Sequence, residues 1–347
     1  MFKIGIAGVG FMGWIHYLAY QRIRGARVTA LCEQNRKRLT GDWRDIQGNF
    51  GPRGETVDVS KMARYEDFDQ FCTDPSIDIV DICLPPSAHA AAAVKALEHG
   101  KHVFCEKPMA LTTADCQRMV QAAEKANRLI MIGHVLPMFA EYQHARKLIA
   151  GGRYGTLIGG NFKRVISDPL WLKDFYDPKL VGGPMLDLHV HDAHLIRLLY
   201  GMPTAVMSQG RMRGEVVEYF NTMFQFTDPR LVVTATSGVI NQQGRAFLHG
   251  FEIHLEKATL VYEFGVIGGE ATPLMPLTVF DSQGKVHRPN LGVNDEISPF
   301  VAEIKEVLQA VRAGSPSPIL GGDLARDAIV LGHKQTESVR KGRRVAI

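Results

Sequence analysis

The chain has no apolar run approaching the ~20 residues that a bilayer-spanning helix needs. A helical membrane protein is excluded on that ground. The apolar start, FKIGIAGVG at 2–10, is interrupted by glycines and followed by no cleavage signal, so it does not read as a secretory leader. Cysteine is scarce: five residues, at 32, 72, 83, 105 and 116, with no C-x-x-C spacing. That argues against a disulfide framework or a zinc knuckle. Cys32, Cys83 and Cys105 end apolar runs, as reduced, buried thiols of a cytoplasmic protein would. Charge of one sign is missing too. Lys and Arg number 40 against 36 Asp and Glu, for a net +4, and no basic cluster is interleaved with aromatics. No nucleic-acid or membrane partner is expected. The one basic run, RKGRR at 340–344, closes a helical stretch, where cations suit the dipole. Internal repeats and low-complexity tracts are absent.

What is present is ordinary globular composition, 46% hydrophobic and 22% charged, in 347 residues, enough for two domains of about 150 residues each. Strand-like and helix-like segments alternate through the first 150 residues. Strands are expected near 3–7, 27–33, 77–86, 102–108 and 129–134, with helices between them. The strands are continuously apolar, the signature of a parallel sheet covered on both faces. Residues 35–60 are polar and Gly-rich and read as a surface loop. Beyond GGRYG at 151–155 the pattern changes. Strand candidates at 157–166, 204–213, 217–227, 230–237, 247–255 and 258–264 follow one another, interrupted early by a helix at 183–200. Two late helices, near 299–313 and 323–341, close the chain. The expected fold class is α/β: a Rossmann domain over 1–134, then an α+β domain over 135–347 with a large open, mainly antiparallel sheet, its C-terminal helix packing back on the first domain.

The first strand runs into Gly8, Gly10 and Gly13, a GxGxxG that stands between a strand and a helix, the context that gives the motif meaning. Gly8 makes the turn, Gly10 lets a pyrophosphate approach the backbone, and Gly13 permits close helix packing. The phosphate would sit at the helix N-terminus. Glu33 follows Gly13 by twenty residues at the end of the second strand, where a carboxylate binds ribose hydroxyls. NAD is therefore expected. Arg36, Lys37 and Arg38 stand close enough to soften the repulsion of a 2′-phosphate, which keeps NADP as the alternative.

The stretch GPMLDLHVHDAH, 183–194, puts two acids, Asp187 and Asp192, and three histidines within eight residues, 187–194. Pro184 suits a first helical turn and Gly201 a C-cap. On a helix, Asp187, His191 and His194 share a face and His189 points nearly opposite. An Asp one turn before a His can orient the ring and raise its basicity, a general acid/base arrangement. The same spacing suits zinc, and three buried structural histidines are the third reading. The residues of this stretch do not choose between them.

The order GVGFMGWIH with His16, LPPSAH at 84–89, CEKP at 105–108 and GGPMLDLHVHDAH resembles the Gfo/Idh/MocA oxidoreductases, relatives of glucose-fructose oxidoreductase and inositol dehydrogenase, over nearly the whole chain. The resemblance implies a Rossmann domain followed by a mixed domain with a large open sheet. It implies hydride transfer between a nicotinamide and a secondary alcohol of a sugar, polyol or cyclitol. The family's active-site lysine falls on Lys107, and its Asp and His on Asp187 and His191. Cofactor contacts fall on Gly8, Gly10, Phe11, Met12, Glu33, Leu84, Pro85, His89 and Glu106, with Gly13 from the motif itself. Proton transfer through His191, with no metal, becomes the expected reading of the histidine stretch. Lys163, Trp171 and His194 are candidates to line the substrate. His189 stands where relatives often have Gly, His194 where they often have Asp, and Pro137 near where many carry an Arg, so no sugar specificity is carried over. Two rival readings remain: a glycoside-cleaving enzyme that retains its NAD and works by transient oxidation and elimination, and a non-catalytic NAD(P)/sugar sensor. YFNTMFQF, 219–226, is apolar on both faces, and family relatives pair such sheets, so a homodimer or homotetramer through the C-terminal sheet is expected.

Overall fold

The computed structural model describes residues 1–347. The chain forms two compact units: Met1–Met138 with Asn294–Arg326, and Phe139–Val293 with Asp327–Ile347.

The first unit is built on six parallel strands: β1 (Phe2–Ala7), β2 (Ala26–Cys32), β3 (Ala63–Tyr65), β4 (Ile79–Ile82), β5 (His102–Glu106) and β6 (Ile130–Gly133). Helices α1 (Phe11–Gln21), α2 (Arg36–Leu39), α3 (Phe68–Thr73), α4 (Pro86–Glu98) and α5 (Thr113–Ala126) connect them. The sheet order is β3-β2-β1-β4-β5-β6. This doubly wound order reverses between β1 and β4, and ligands bind such sheets in the crevice beyond the carboxyl ends of those two strands. Ile4, Ile6, Leu31, Ile79, Phe104 and Met131 are buried, because helices cover both faces. The segment read as a surface loop, 35–60, is instead partly core. Trp43 is fully buried, donates its indole N–H to the Arg38 carbonyl at 2.7 Å and meets Trp14 edge-on at 5.8 Å. Apolar residues spaced irregularly among glycines carry no period, so this tether is invisible to pattern reading.

The second unit holds α6 (Ala140–Ala150), β7 (Leu157–Ser167), a π-helical turn at Pro184–Leu188, α7 (Val190–Tyr200), β8 (Ala205–Arg213), β9 (Val216–Gln225), β10 (Val232–Ile240), β11 (Arg245–Leu255), β12 (Ala258–Ile267), β13 (Glu270–Asp281) and β14 (Val286–His287). After α8 (Ser298–Ala313) come α9 (Gly322–Lys341) and β15 (Val345–Ala346). The nine strands run in the order β14-β13-β12-β11-β7-β10-β9-β8-β15, all antiparallel except β7 beside β10. Strand β13 was not anticipated. It carries Pro273 and Pro276, which have no N–H to give a ladder, and it is tolerated because only the two-residue β14 lies beyond it. Where the sequence suggests one boundary at 134/135, contacts assign 294–326, including α8, to the first unit: Phe300, Ile304 and Val307 join the cluster of α1 and β1. No helix is long and apolar enough to cross a membrane.

Candidate functional site

In the first unit the three glycines answer to three different constraints. Gly8 has φ +91°, and a Cβ there would lie 2.7 Å from the Cys83 carbonyl oxygen. A Cβ on Gly13 would lie 2.2 Å from the Gly8 carbonyl oxygen, so the helix closes on the turn only because it is bare. Gly10 has nothing within 4 Å of its would-be Cβ and serves as N-cap of α1. The turn thus opens on a bare helix N-terminus at the sheet's switch point, a fit for a dinucleotide pyrophosphate. Phe11 and Met12, half-buried, begin α1, with the Phe50 ring 4.8 Å from Phe11. The Glu33 carboxylate accepts N–H bonds from Val9 at 2.7 Å and Asn35 at 2.8 Å. It therefore braces the glycine turn while standing at the ribose end of β2. Leu84 is half-buried and Pro85 exposed beyond β4.

Two of the expected cofactor contacts, His89 and Glu106, are buried. The His89 ring is fully buried, with Nδ1 2.8 Å from the Pro108 carbonyl oxygen and Nε2 2.8 Å from that of Leu84. It ties the loop after β4 to the loop after β5, and burial pushes its pKa down. Glu106 is also buried. Its Oε2 accepts the Lys107 backbone N–H at 3.0 Å and its Oε1 lies 3.1 Å from His16 Nε2. Lys107 itself is only half-buried, just past the end of β5.

In the second unit, every residue from 182 to 196 is buried except two, Asp187 and His191. The expected continuous helix is a π-turn, closed by the His189 N–H on the Pro184 carbonyl at 2.8 Å, leading into α7. Such π-turns recur at functional sites. His189 is fully buried, edge-on to Phe220 at 4.9 Å, and burial lowers its pKa to about 4. His194 does not share the accessible face: it is fully buried, because three residues along an α-helix rotates it ~60° away from His191 and into the core. Lys163 also departs from the expectation. It alternates along β7 with Phe162 and Arg164, and Arg164 meets α7, so Lys163 lies on the opposite face of the sheet, 3.2 Å from Glu263. Trp171, 67% exposed on the loop after β7, is not a core residue.

A buried polar cluster escaped the motif reading. His16 of α1 lies with Nδ1 2.9 Å from Asp81 Oδ2, and with Cys83 Sγ at 3.5 Å. Glu303 of α8 is buried beside them. The signal was legible: Asp81 interrupts a wholly apolar strand, and a buried carboxylate needs a partner.

Residues 2–134 match the family model described as oxidoreductase family, NAD-binding Rossmann fold, and 142–261 match the GFO/IDH/MocA C-terminal domain. Myo-inositol 2-dehydrogenase of Thermotoga maritima is 25% identical over 353 residues, covering 99% of this chain and 98% of that protein. A 2,7-anhydro-N-acetylneuraminate hydratase of Escherichia coli is 30% identical over 164 residues, 47% of this chain and 40% of the hydratase. A solved levoglucosan dehydrogenase, in complex with NADH and levoglucosan, superposes with a TM-score of 0.80 at 21% identity, over 100% of this chain and 99% of that one.

Proposed function

The chain belongs to the Gfo/Idh/MocA family of NAD-binding oxidoreductases, and from that premise we propose that it oxidises a secondary alcohol of a sugar, polyol or cyclitol. The observation that carries the reading is the isolation of Asp187 and His191 as the two accessible side chains of an otherwise buried segment. NAD, when bound, supplies the two-electron acceptor for the carbinol carbon. Gly8, Gly10, Gly13 and Glu33 would hold it. His191 takes the hydroxyl proton as the carbonyl forms, and Asp187 orients its ring. Lys107 hydrogen-bonds the reacting oxygen and helps carry its proton. Trp171 offers an aromatic face to the carbon-bound hydrogens of a ring substrate. The relative named myo-inositol 2-dehydrogenase, matched end to end, supports the substrate class.

The test is a panel of cyclitols, aldoses, polyols and anhydrosugars with NAD, read as NADH absorbance. Turnover of at least one, lost in His191→Ala, is the expected result. No turnover across the panel in protein that binds NADH would sink the dehydrogenase reading. The relative named as a hydratase favours keeping redox-assisted elimination as the second reading. In that case product accumulates with no net NADH.

A second copy of the chain is the proposed cover for the open sheet. Met207 of β8 and Met223 of β9 are cross-strand neighbours and are 47% and 42% exposed, while Phe220 and Phe224 on the other face are buried. The five thiols are all unpaired and four are buried, which fits a reducing, cytoplasmic setting.

A further inference from the structure

We propose that His16 is a positioning residue for Lys107: bridging Asp81 and Glu106 inside the first unit, it holds the Glu106 carboxylate in the orientation that accepts the Lys107 backbone N–H. The inference rests on the reading of Lys107 as an active-site group, but the contact it describes is testable without any substrate.

The argument begins with the ring. His16 stacks on Phe104 of β5, centroids 5.2 Å apart and planes 9° from parallel, so the directions of its two nitrogens are fixed. Nδ1 faces the Asp81 carboxylate at 2.9 and 3.0 Å; Nε2 faces Glu106 Oε1 at 3.1 Å. A neutral imidazole donates from one nitrogen only, whereas two carboxylate acceptors call for two N–H donors. The ring is therefore a buried cation: the carbonyls on either side of His89 carry no charge to offset burial, whereas His16 lies between two carboxylates. Burial alone would depress its pKa, but the Asp81 carboxylate, and behind it the Cys83 side chain, hold it well above the ordinary value. For the other groups facing the cluster, burial favours the neutral form. Burial pushes up the Cys83 thiol, the Tyr20 phenol and the Cys105 thiol. The Glu303 carboxyl is raised by burial and by Glu106.

Glu106 then has both oxygens committed, Oε1 to His16 and Oε2 to the Lys107 N–H at 3.0 Å. It lies over bare backbone: a Cβ on its pairing partner Gly133 would stand 2.9 Å from Oε1. Past the lysine, the Pro108 carbonyl is held by His89 at 2.8 Å. The backbone is thus braced on both flanks of Lys107, by one histidine from α1 and another from α4. His16, Asp81 and Cys83 also offer three donor atoms within 4.8 Å of one another, the composition of a metal site. A metal would need the Nδ1 lone pair, where the contact with Asp81 places a proton.

The experiment follows the Lys107 amide by hydrogen–deuterium exchange at residue resolution, in the full chain without added cofactor. In His16→Gln its exchange should quicken about tenfold relative to the Val103 and Phe104 amides of the same strand. A merely structural role would speed all three together, and that outcome, or an unchanged ratio, overturns the proposal. Should His16→Gln fail to fold, Asp81→Asn carries the same comparison, with a selective gain of about threefold expected at Lys107 and equal rates overturning it. In the wild-type protein, selective ¹⁵N labelling of the 13 histidines should reveal one ring still protonated on both nitrogens above the pH at which free imidazoles, near 6.5, have lost their proton. If every ring is neutral there, or if added zinc shifts a nitrogen signal of that ring, the buried cation is wrong. Failure of the dehydrogenase reading would show instead as absent turnover with these exchange results intact.

Discussion

The Arg164 guanidinium on β7 and the Asp192 carboxylate on α7 form a two-pronged ion pair, at 2.6 and 3.2 Å, with both side chains almost wholly buried. Asp192 directly follows His191, so the pair fixes which way α7 turns that histidine. Desolvation costs such a pair much of its Coulomb gain, but losing one partner strands the other charge in the core. Asp192→Ala is expected to cost about 3–5 kcal/mol in urea unfolding, and a well-packed Arg164→Met/Asp192→Leu double variant far less. If the double variant is as unstable as Asp192→Ala, the stranded-charge account is wrong.

His191→Ala and Lys107→Ala are each expected to slow turnover by about 10²–10⁴ while NADH binding, followed by fluorescence, stays near wild type. Asp187→Asn should slow it less, because the imidazole survives, misoriented. His189→Ala should lower stability more than rate, since that ring is packed on Phe220. A folded His189→Ala that is dead while His191→Ala is active would place the chemistry on the other side of the helix.

Glu33 predicts the cofactor. NADH should bind at least about tenfold more tightly than NADPH, ~1.4 kcal/mol. Of the nearby cations, Arg36 pairs with Glu66, and Arg38 with Asp45 and the Val9 carbonyl, while Lys37 is exposed. Glu33→Ala should narrow the preference and also weaken NADH itself, because Val9 and Asn35 lose their acceptor. Calorimetric titration with both nucleotides decides it; tighter NADPH binding to the wild type would refute the assignment.

Stability should fall in mild acid. His189, lowered by burial to about 4, stays neutral in the folded chain while the unfolded chain takes up a proton near its ordinary 6.5. The unfolded state then binds more protons between those values, so folding free energy declines as pH drops from 6.5 toward 4. The single-group limit is about 3 kcal/mol. His249, also buried and depressed, adds in the same direction, while the raised His16 works the other way, losing its contribution only as pH climbs through its folded value. Urea midpoints at about pH 7 and pH 5 should differ in the wild type and differ less in His189→Gln. Equal pH dependence in both would clear His189 of the effect.

Light scattering at micromolar concentration should return a multiple of the 38.5 kDa chain mass. Met223→Lys, placing a charge on the exposed sheet face, should return the single-chain mass. A monomeric wild type removes the proposed second copy.

The parallel sheet and the glycine turn were legible in the sequence because each depends on local order: a period, a turn residue, a fixed offset along one element; Lys107 and the Asp187/His191 pair were singled out through the resemblance, and their roles stand as proposals. Tertiary structure decided what depends on which sides of different elements meet. Helical periodicity grouped His194 with His191, but the packing of α7 on the sheet turned His194 inward. Lys163 looked near the substrate until strand alternation against Arg164 set it on the other face. His89 and Glu106, expected to contact the cofactor, are buried and held by backbone and by His16. The cluster at His16 joins residues 65, 90 and 287 positions apart, across α1, β4, β5 and α8. No pattern within a single element records such a meeting, since burial and partner choice are properties of the packed fold.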